Sequence, residues 1–202
     1  MELVFTQIYE NTIWGNNRNS SYRGSSGGGS DIEYNRTTYV PLVKEFIRQK
    51  GIKTVVDLGC GDFRCGPLLY EDLDVLYTGY DAYSKVVDYN STQHLAPKYT
   101  FKHLDFCNKK EEVGKADLCI LKDVLQHWPL KDIYTILDYF VETKQFKYIL
   151  ITNCCTNAID NTDIPMGQWR SLSSTCLPLK KYEPKRLYTY DTKEVSVLEI
   201  NP

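Results

Sequence analysis

The chain has 202 residues, of which 42% are hydrophobic and 25% charged, with a formal net charge of -2 and a pI near 5.9. That length suffices for one α/β domain with a sizeable core. Acids and bases alternate without the basic stripe of a nucleic-acid binder, so the balance favours a neutral, small or glycan partner over DNA or RNA.

No apolar run reaches the ~18 residues of a membrane helix. The start, MELVFTQIYE, lacks the basic end and long apolar core of a signal peptide. The seven cysteines contain no CxxC pair, so no zinc site is expected. Cys119 and Cys154 sit inside apolar runs, where they behave as small core residues. This usage suits a reducing, cytoplasmic compartment.

Residues 1–36 are rich in Asn, Ser, Gly and Arg, with Tyr9, Trp14 and Tyr22 embedded. The Ser21–Ser30 run reads as a flexible tail or as a lid over a ligand, and the aromatics favour the lid. A single domain over 37–202 follows. Its first helix is capped by Thr37 or Thr38, carries Pro41 in its first turn, buries Val40, Val43, Phe46 and Ile47, and stops at Gly51. Then come strand 1 (53–58), a short helix (67–72), strand 2 (75–80), a weakly patterned helix (84–95), strand 3 (100–104) and strand 4 (116–122). The strongest helix spans 130–143, with Ile133, Ile136, Leu137, Phe140 and Val141 on one face. Strand 5 (146–153) precedes a long irregular connection over 154–180. The basic cluster Lys180 to Arg186, interrupted by Glu183, reads as a solvated loop. Two strands, RLYTYD and EVSVLEI, turn at Asp191 to Lys193 and close the chain.

The segment VVDLGCGDF, Val55 to Phe63, is the most informative. An apolar strand ends in Asp57, and Gly59 and Gly61 follow in a tight loop that lets backbone approach a small charged ligand. Asp81 ends the next strand, twenty residues after Gly61, where a carboxylate meets ribose hydroxyls. Two cofactors use this layout. The dinucleotide fingerprint needs a third glycine where Arg64 stands, and the acids Asp57 and Asp62 would repel a pyrophosphate. A sulfonium cofactor with a free ammonium meets neither objection.

The loop therefore resembles motif I of the class I S-adenosylmethionine-dependent methyltransferases, and the five βα units closed by a hairpin extend the resemblance over nearly the whole chain. The resemblance implies a Rossmann-like α/β fold: a seven-stranded, mostly parallel sheet ordered 3-2-1-4-5-7-6, strand 7 antiparallel, with helices on both faces. It implies ligand binding beyond the carboxyl ends of strands 1 and 4, so that Asp57–Asp62 and Lys122–Trp128 face each other. It places S-adenosylmethionine, and the product S-adenosylhomocysteine, on Trp14, Ser30, Asp57, Gly59, Cys60, Gly61, Asp81, Ala82, Asp105, Phe106 and Lys122. Within that set, Asp105 accepts from the adenine amine and Phe106 covers the ring.

The end of strand 4, ILKDVLQHWP, concentrates polar groups. Methyl transfer needs alignment of the acceptor, and a hydroxyl acceptor must also lose a proton. His127 is the candidate base, with Asp123 as its partner or alternative. The Pro-Pro motif of amino-group methyltransferases is missing from this position, which favours O-methylation. Tyr22, Arg23, Trp128, Trp169 and Arg170 are the candidate acceptor contacts, since a Trp beside an Arg can stack on a sugar and bond its hydroxyls. A divalent metal on Asp123 and Asp160 is possible but not expected, because strand 5 ends in Asn153. The pattern IYENTIWGNN…GSSGGGS resembles a subgroup acting on glycans and small polar acceptors, in particular the methyltransferase module of multidomain glycan-building proteins of chloroviruses. That resemblance implies O-methylation of a terminal rhamnose by a module of a longer glycosyltransferase chain. An RNA methyltransferase, a non-catalytic cofactor-binding scaffold and a nicotinamide-dependent oxidoreductase are the rival readings.

Overall fold

The computed structural model describes residues 1–17 and 21–200. Residues 18–20 of the expected lid, and 201 and 202 at the other end, lie outside the described residues. The strand order is β3-β2-β1-β4-β5-β7-β6, as expected, and the chain divides into two compact units, Met1–Asp105 and Phe106–Pro202.

The first unit holds α1 (Glu2–Glu10), α2 (Ile32–Arg36), α3 (Tyr39–Gln49), β1 (Thr54–Leu58), α4 (Gly66–Tyr70), β2 (Leu76–Asp81), α5 (Ser84–Gln93) and β3 (Tyr99–His103). β2 pairs in parallel with both β1 and β3. α3 buries Val40, Val43, Phe46 and Ile47. Thr38 starts that helix without capping it, because its hydroxyl donates to the Tyr34 carbonyl of α2. Gly51, at φ +61°, ends it.

Helix α1 was not anticipated, since the Ser/Gly composition downstream dominates any reading of this segment. It anchors the N-terminal stretch to the rest of the unit. Tyr9 stacks on Tyr83 with centroids 4.6 Å apart, and Tyr22 meets Tyr83 and Tyr89 edge-on. Both Tyr9 and Tyr22 are buried in this cluster with Val86 and Val87. Gly24 passes so close to the Tyr9 backbone that a Cβ there would overlap it. The described part of residues 1–36 is thus packed into the first unit rather than trailing from it.

The second unit holds β4 (Ala116–Lys122), α6 (Leu130–Thr143), β5 (Phe146–Cys154), β6 (Lys185–Tyr190) and β7 (Lys193–Glu199). β4 and β5 are parallel, and β7 runs antiparallel between β5 and β6. Ile133, Ile136, Leu137 and Phe140 of α6 are buried, while Val141, expected on the same face, is exposed at its edge. The connection after β5 is irregular but pinned. Gly167 N–H donates to the His127 carbonyl, Arg170 N–H to the Gln126 carbonyl and Leu172 N–H to the Cys154 carbonyl. The basic cluster is more ordered than a solvated loop. Leu179–Tyr182 forms a 3-10 turn, Lys181 pairs with Asp138, and β6 begins at Lys185. Among the described residues no helix is long and apolar enough to cross a membrane.

Candidate active site

In the first unit the loop after β1 is built by its own hydrogen bonds. Gly59 and Gly61 take φ of +80° and +54°, which glycine adopts without the steric penalty of a side chain. The Gly59 and Cys60 amides both donate to the Tyr80 carbonyl, at 2.8 and 3.0 Å. The Gly61 amide donates to Asp81 Oδ2 at 3.0 Å, and the Asp62 amide to Ser26 Oγ at 2.8 Å. All four amides of the turn are therefore committed within the unit. A pyrophosphate cradle needs such amides aimed at the ligand; this loop has none to give.

Acceptors are what it presents. Asp81 is buried at the end of β2 and also accepts from the Tyr83 amide at 2.9 Å. Burial pushes its carboxyl up, against the amide hydrogen bonds that hold it down. Asp57, half-buried at the end of β1, accepts from Tyr77 Oη at 2.9 Å. Ala82 is buried, and its carbonyl faces His103 Nε2 at 3.1 Å. Asp105 accepts from the Glu2 amide and pairs with the Met1 amino group, both at 3.1 Å.

Ser26 sits over this loop. Its hydroxyl also meets Tyr9 Oη at 2.8 Å, and a Cβ on Gly61 would overlap it. Gly61→Ala should cost about 1–2 kcal/mol from the left-handed backbone alone, and more because Ser26 must move. A thermal melt identical to that of the parent would show that Ser26 does not rest on the loop. Ser30 hydrogen-bonds the Gly27 carbonyl at 2.8 Å, and Trp14 is half-buried against Phe5 and Tyr9.

In the second unit, a chain of polar contacts fixes His127. The Cys154 amide donates to Gln126 Oε1 at 2.8 Å, which turns the Gln126 Nε2 toward His127 Nε2, 3.4 Å away. On the other side His127 Nδ1 lies 2.9 Å from the Gln168 carbonyl. A carbonyl only accepts, so Nδ1 carries the proton and Nε2 keeps the lone pair. Burial lowers the His127 pKa below the ordinary imidazole value, partly countered by the Gln168 carbonyl and Asp123. The ring is neutral at neutral pH and fit to take a proton.

No family model matches the sequence, and no curated protein matches it. Solved structures do. The magnesium protoporphyrin IX methyltransferase of Synechocystis PCC 6803, with bound SAH, superposes at a TM-score of 0.65 and 16% identity, covering 98% of each chain. An O-methyltransferase family protein from Burkholderia thailandensis gives 0.64 and 14%, covering 85% of this chain and 57% of that one. Human N-acetylserotonin methyltransferase in complex with SAM gives 0.61 and 18%, covering 86% and 55%. This chain thus spans little more than half the length of the last two. The fold is that of the Rossmann-like methyltransferases.

On that methyltransferase fold, several expected site residues sit elsewhere than expected. Phe106 does not stand open to cover a ring; it is buried and stacked on Trp128 at 5.6 Å. Trp128, expected at the acceptor, is wholly buried. Arg170 is also buried, donating to the Trp128 carbonyl at 2.6 Å. Of the pair read as a sugar platform, only Trp169 is exposed. Tyr22 belongs to the aromatic cluster of the first unit, and Arg23 is exposed on an open groove beside Glu10 and Asn16.

Asp123, expected as the partner of His127 or an alternative base, is held by lysines. It lies between two ammoniums, Lys122 Nζ at 2.9 Å and Lys193 Nζ. Burial pushes its carboxyl up, but the two lysines prevail and hold it below the usual carboxylate range, so it is a poor base. Asp160, the other acid considered for a metal, accepts from the Leu177 amide at 2.7 Å. Among the described residues, no three His, Cys, Asp or Glu side chains group in a way that could hold a metal ion.

Sequence reasoning noted Tyr9 only as an embedded aromatic and missed Ser26, Gln126 and Lys193. Gln126 adjoins His127, and an amide beside a candidate base is a usable signal. Lys193 offered none, being 70 residues from Asp123.

Proposed function

We propose that this protein is an S-adenosylmethionine-dependent O-methyltransferase acting on a sugar hydroxyl, with a terminal rhamnose as the favoured acceptor. The committed amides of Gly59, Cys60, Gly61 and Asp62 carry the cofactor half of the reading. A loop with no amide left for phosphate, flanked by the carboxylates of Asp57 and Asp81, suits a ligand that donates: an ammonium and a ribose diol. Bound S-adenosylmethionine supplies a methyl group on a sulfonium, an excellent leaving group. Asp81 would hold the ribose hydroxyls, Gly59 and Gly61 would let the backbone approach, and Asp57 would face the ammonium. The SAM- and SAH-bound neighbours of the same fold support this choice.

For the acceptor half, His127 with its Nε2 lone pair is the base that would take the hydroxyl proton. The shape of the strand-4 segment, without a Pro-Pro motif, supports oxygen over nitrogen as the nucleophile. The rhamnose acceptor rests on the resemblance of the N-terminal segment to glycan-acting enzymes.

Two measurements test this together. Calorimetry should show S-adenosylmethionine binding and no binding of NAD. Mass spectrometry of rhamnose-terminated acceptors incubated with protein and cofactor, with and without chelator, should show a gain of one or two methyl masses in both arms. Cofactor binding without a mass gain on any glycan would remove the sugar acceptor; binding of NAD instead would remove the cofactor.

A further inference from the structure

We propose that the first unit carries a carbohydrate-binding pocket of single-ring size, formed by the loop after β1, the end of α5 and the N-terminal segment. The pocket has a volume of about 290 Å³, at the small end for ligand sites.

Its floor holds an unusual group. Asp62 is 5% exposed, and neither of its carboxylate oxygens accepts a well-formed hydrogen bond, although the Ser26 hydroxyl and the Ser26 and Arg64 amides lie close enough to hold its pKa down. Arg64 Nε, 3.1 Å away, offers charge compensation. Burying a carboxylate with so few donors costs free energy that hydrogen bonding from a ligand would recover. Burial pushes its pKa up despite the guanidinium.

Ligand chemistry follows from what surrounds that carboxylate. Asp62 and Arg64 together are neutral, so neither an anion nor a cation gains from entering. Arg64 is partly exposed and brings further N–H donors, and the side-chain amides of Gln93 and of Asn17, which also bonds Tyr22, both donate and accept. The walls are rings. Tyr89 meets Tyr22 edge-on at 5.4 Å, and His94 meets Phe63 edge-on at 4.9 Å. His94 is held neutral by burial, which lowers its pKa. A small uncharged ligand with many hydroxyls and one C–H face satisfies all of these groups at once. That is a sugar ring: vicinal hydroxyls to Asp62, Arg64 and the amides, and its apolar face to the aromatic wall.

Every residue of this site belongs to the first unit and none is a proposed base or cofactor ligand; Tyr22 was also a candidate acceptor contact, so the variants that test the site are placed at Tyr89 and Gln93 instead. It is tested by saturation-transfer NMR on the full chain with methyl α-rhamnoside, methyl α-glucoside and adenosine as probes. The parent should saturate ring C–H protons of at least one glycoside. Tyr89→Ala should weaken that binding at least tenfold, and Gln93→Ala, at an exposed position, several-fold with its thermal melt unchanged; S-adenosylmethionine titrations of both variants should match the parent. Absence of any glycoside signal from the folded parent would overturn the proposal. So would equal signals from the parent and both variants, which would locate sugar binding elsewhere, or saturation of adenosine alone, which would make the pocket a nucleoside site. Failure of the methyl-transfer assay would leave these readouts untouched.

Discussion

His127→Ala is expected to lower kcat for methyl transfer by about 10²–10⁴-fold, the usual contribution of a positioned general base, while leaving S-adenosylmethionine affinity unchanged. The tautomer is what makes the ring useful. The Gln168 carbonyl accepts a hydrogen bond from Nδ1–H, and the Gln126 amide, anchored by the Cys154 N–H, faces Nε2. The lone pair is therefore on Nε2, the nitrogen that the Gln126 amide faces at 3.4 Å. Burial also sets the working range. The folded pKa is lowered, below an ordinary histidine value of about 6.5, so the base stays neutral through neutral pH. The acid limb of kcat should fall below that ordinary value and vanish in His127→Ala. Linkage has the same sign: the unfolded chain takes up the proton first, so this histidine opposes folding as pH falls below its unfolded pKa. Near-parental kcat in the variant at the optimal pH would remove the base role.

Much of the fold was legible because its signals are local. Ala116–Lys122 and Leu130–Thr143 are bounded by turn chemistry and carry clean apolar patterns, and both elements form over those same residues. The glycine turn after β1 was equally readable, since positive φ at Gly59 and Gly61 is a property of the residues themselves. What could not be read was burial produced by distant partners. Trp128 stands in a polar stretch and looks like a contact residue, yet Phe106 and the Arg170 guanidinium enclose it from elsewhere in the second unit. Tyr9 and Ser26 lie in a segment whose composition suggests flexibility. They are held in place by Tyr83 and by the Asp62 amide, 74 and 36 residues away. Asp123 looked like a catalytic group for the same reason that Trp128 looked like a platform: both flank His127 in sequence, while the Lys193 ammonium that clamps the one and the residues that bury the other come from far along the chain.

Asp123→Ala is expected to be the most destabilising change at the candidate site, by about 3–5 kcal/mol. At about 2–4 °C per kcal/mol for a chain of this size, the melting temperature should fall by roughly 10 °C. The cost lies with Lys193. Its ammonium is almost fully enclosed, with a side-chain exposure of 6%. Its other acceptor is Cys154 Sγ at 3.6 Å, and a thiol sulfur accepts only weakly. Without the carboxylate, a positive charge is left in the interior unpaired. Backbone conformation adds to this. Asp123 sits at φ +58°, a region that Asp tolerates and Ala does not, while its amide donates to the Thr152 carbonyl at 2.8 Å. Asp123→Asn separates the two effects, since it keeps the shape and the backbone tolerance and removes only the charge. Combining it with Lys193→Met removes both charges and should recover most of the loss, because replacing a whole buried pair is far cheaper than breaking one. In the parent, the carboxyl is held below its usual range. Its stabilisation is therefore present above the unfolded value of about 3.9 and is lost as pH falls through the folded one; Asp123→Asn should flatten that acid limb. If Asp123→Ala melts with the parent, the lysine clamp carries no stability and the carboxylate is free for other work. If it melts as expected, Asp123 is committed to the fold, and proton removal at this site falls to His127 alone.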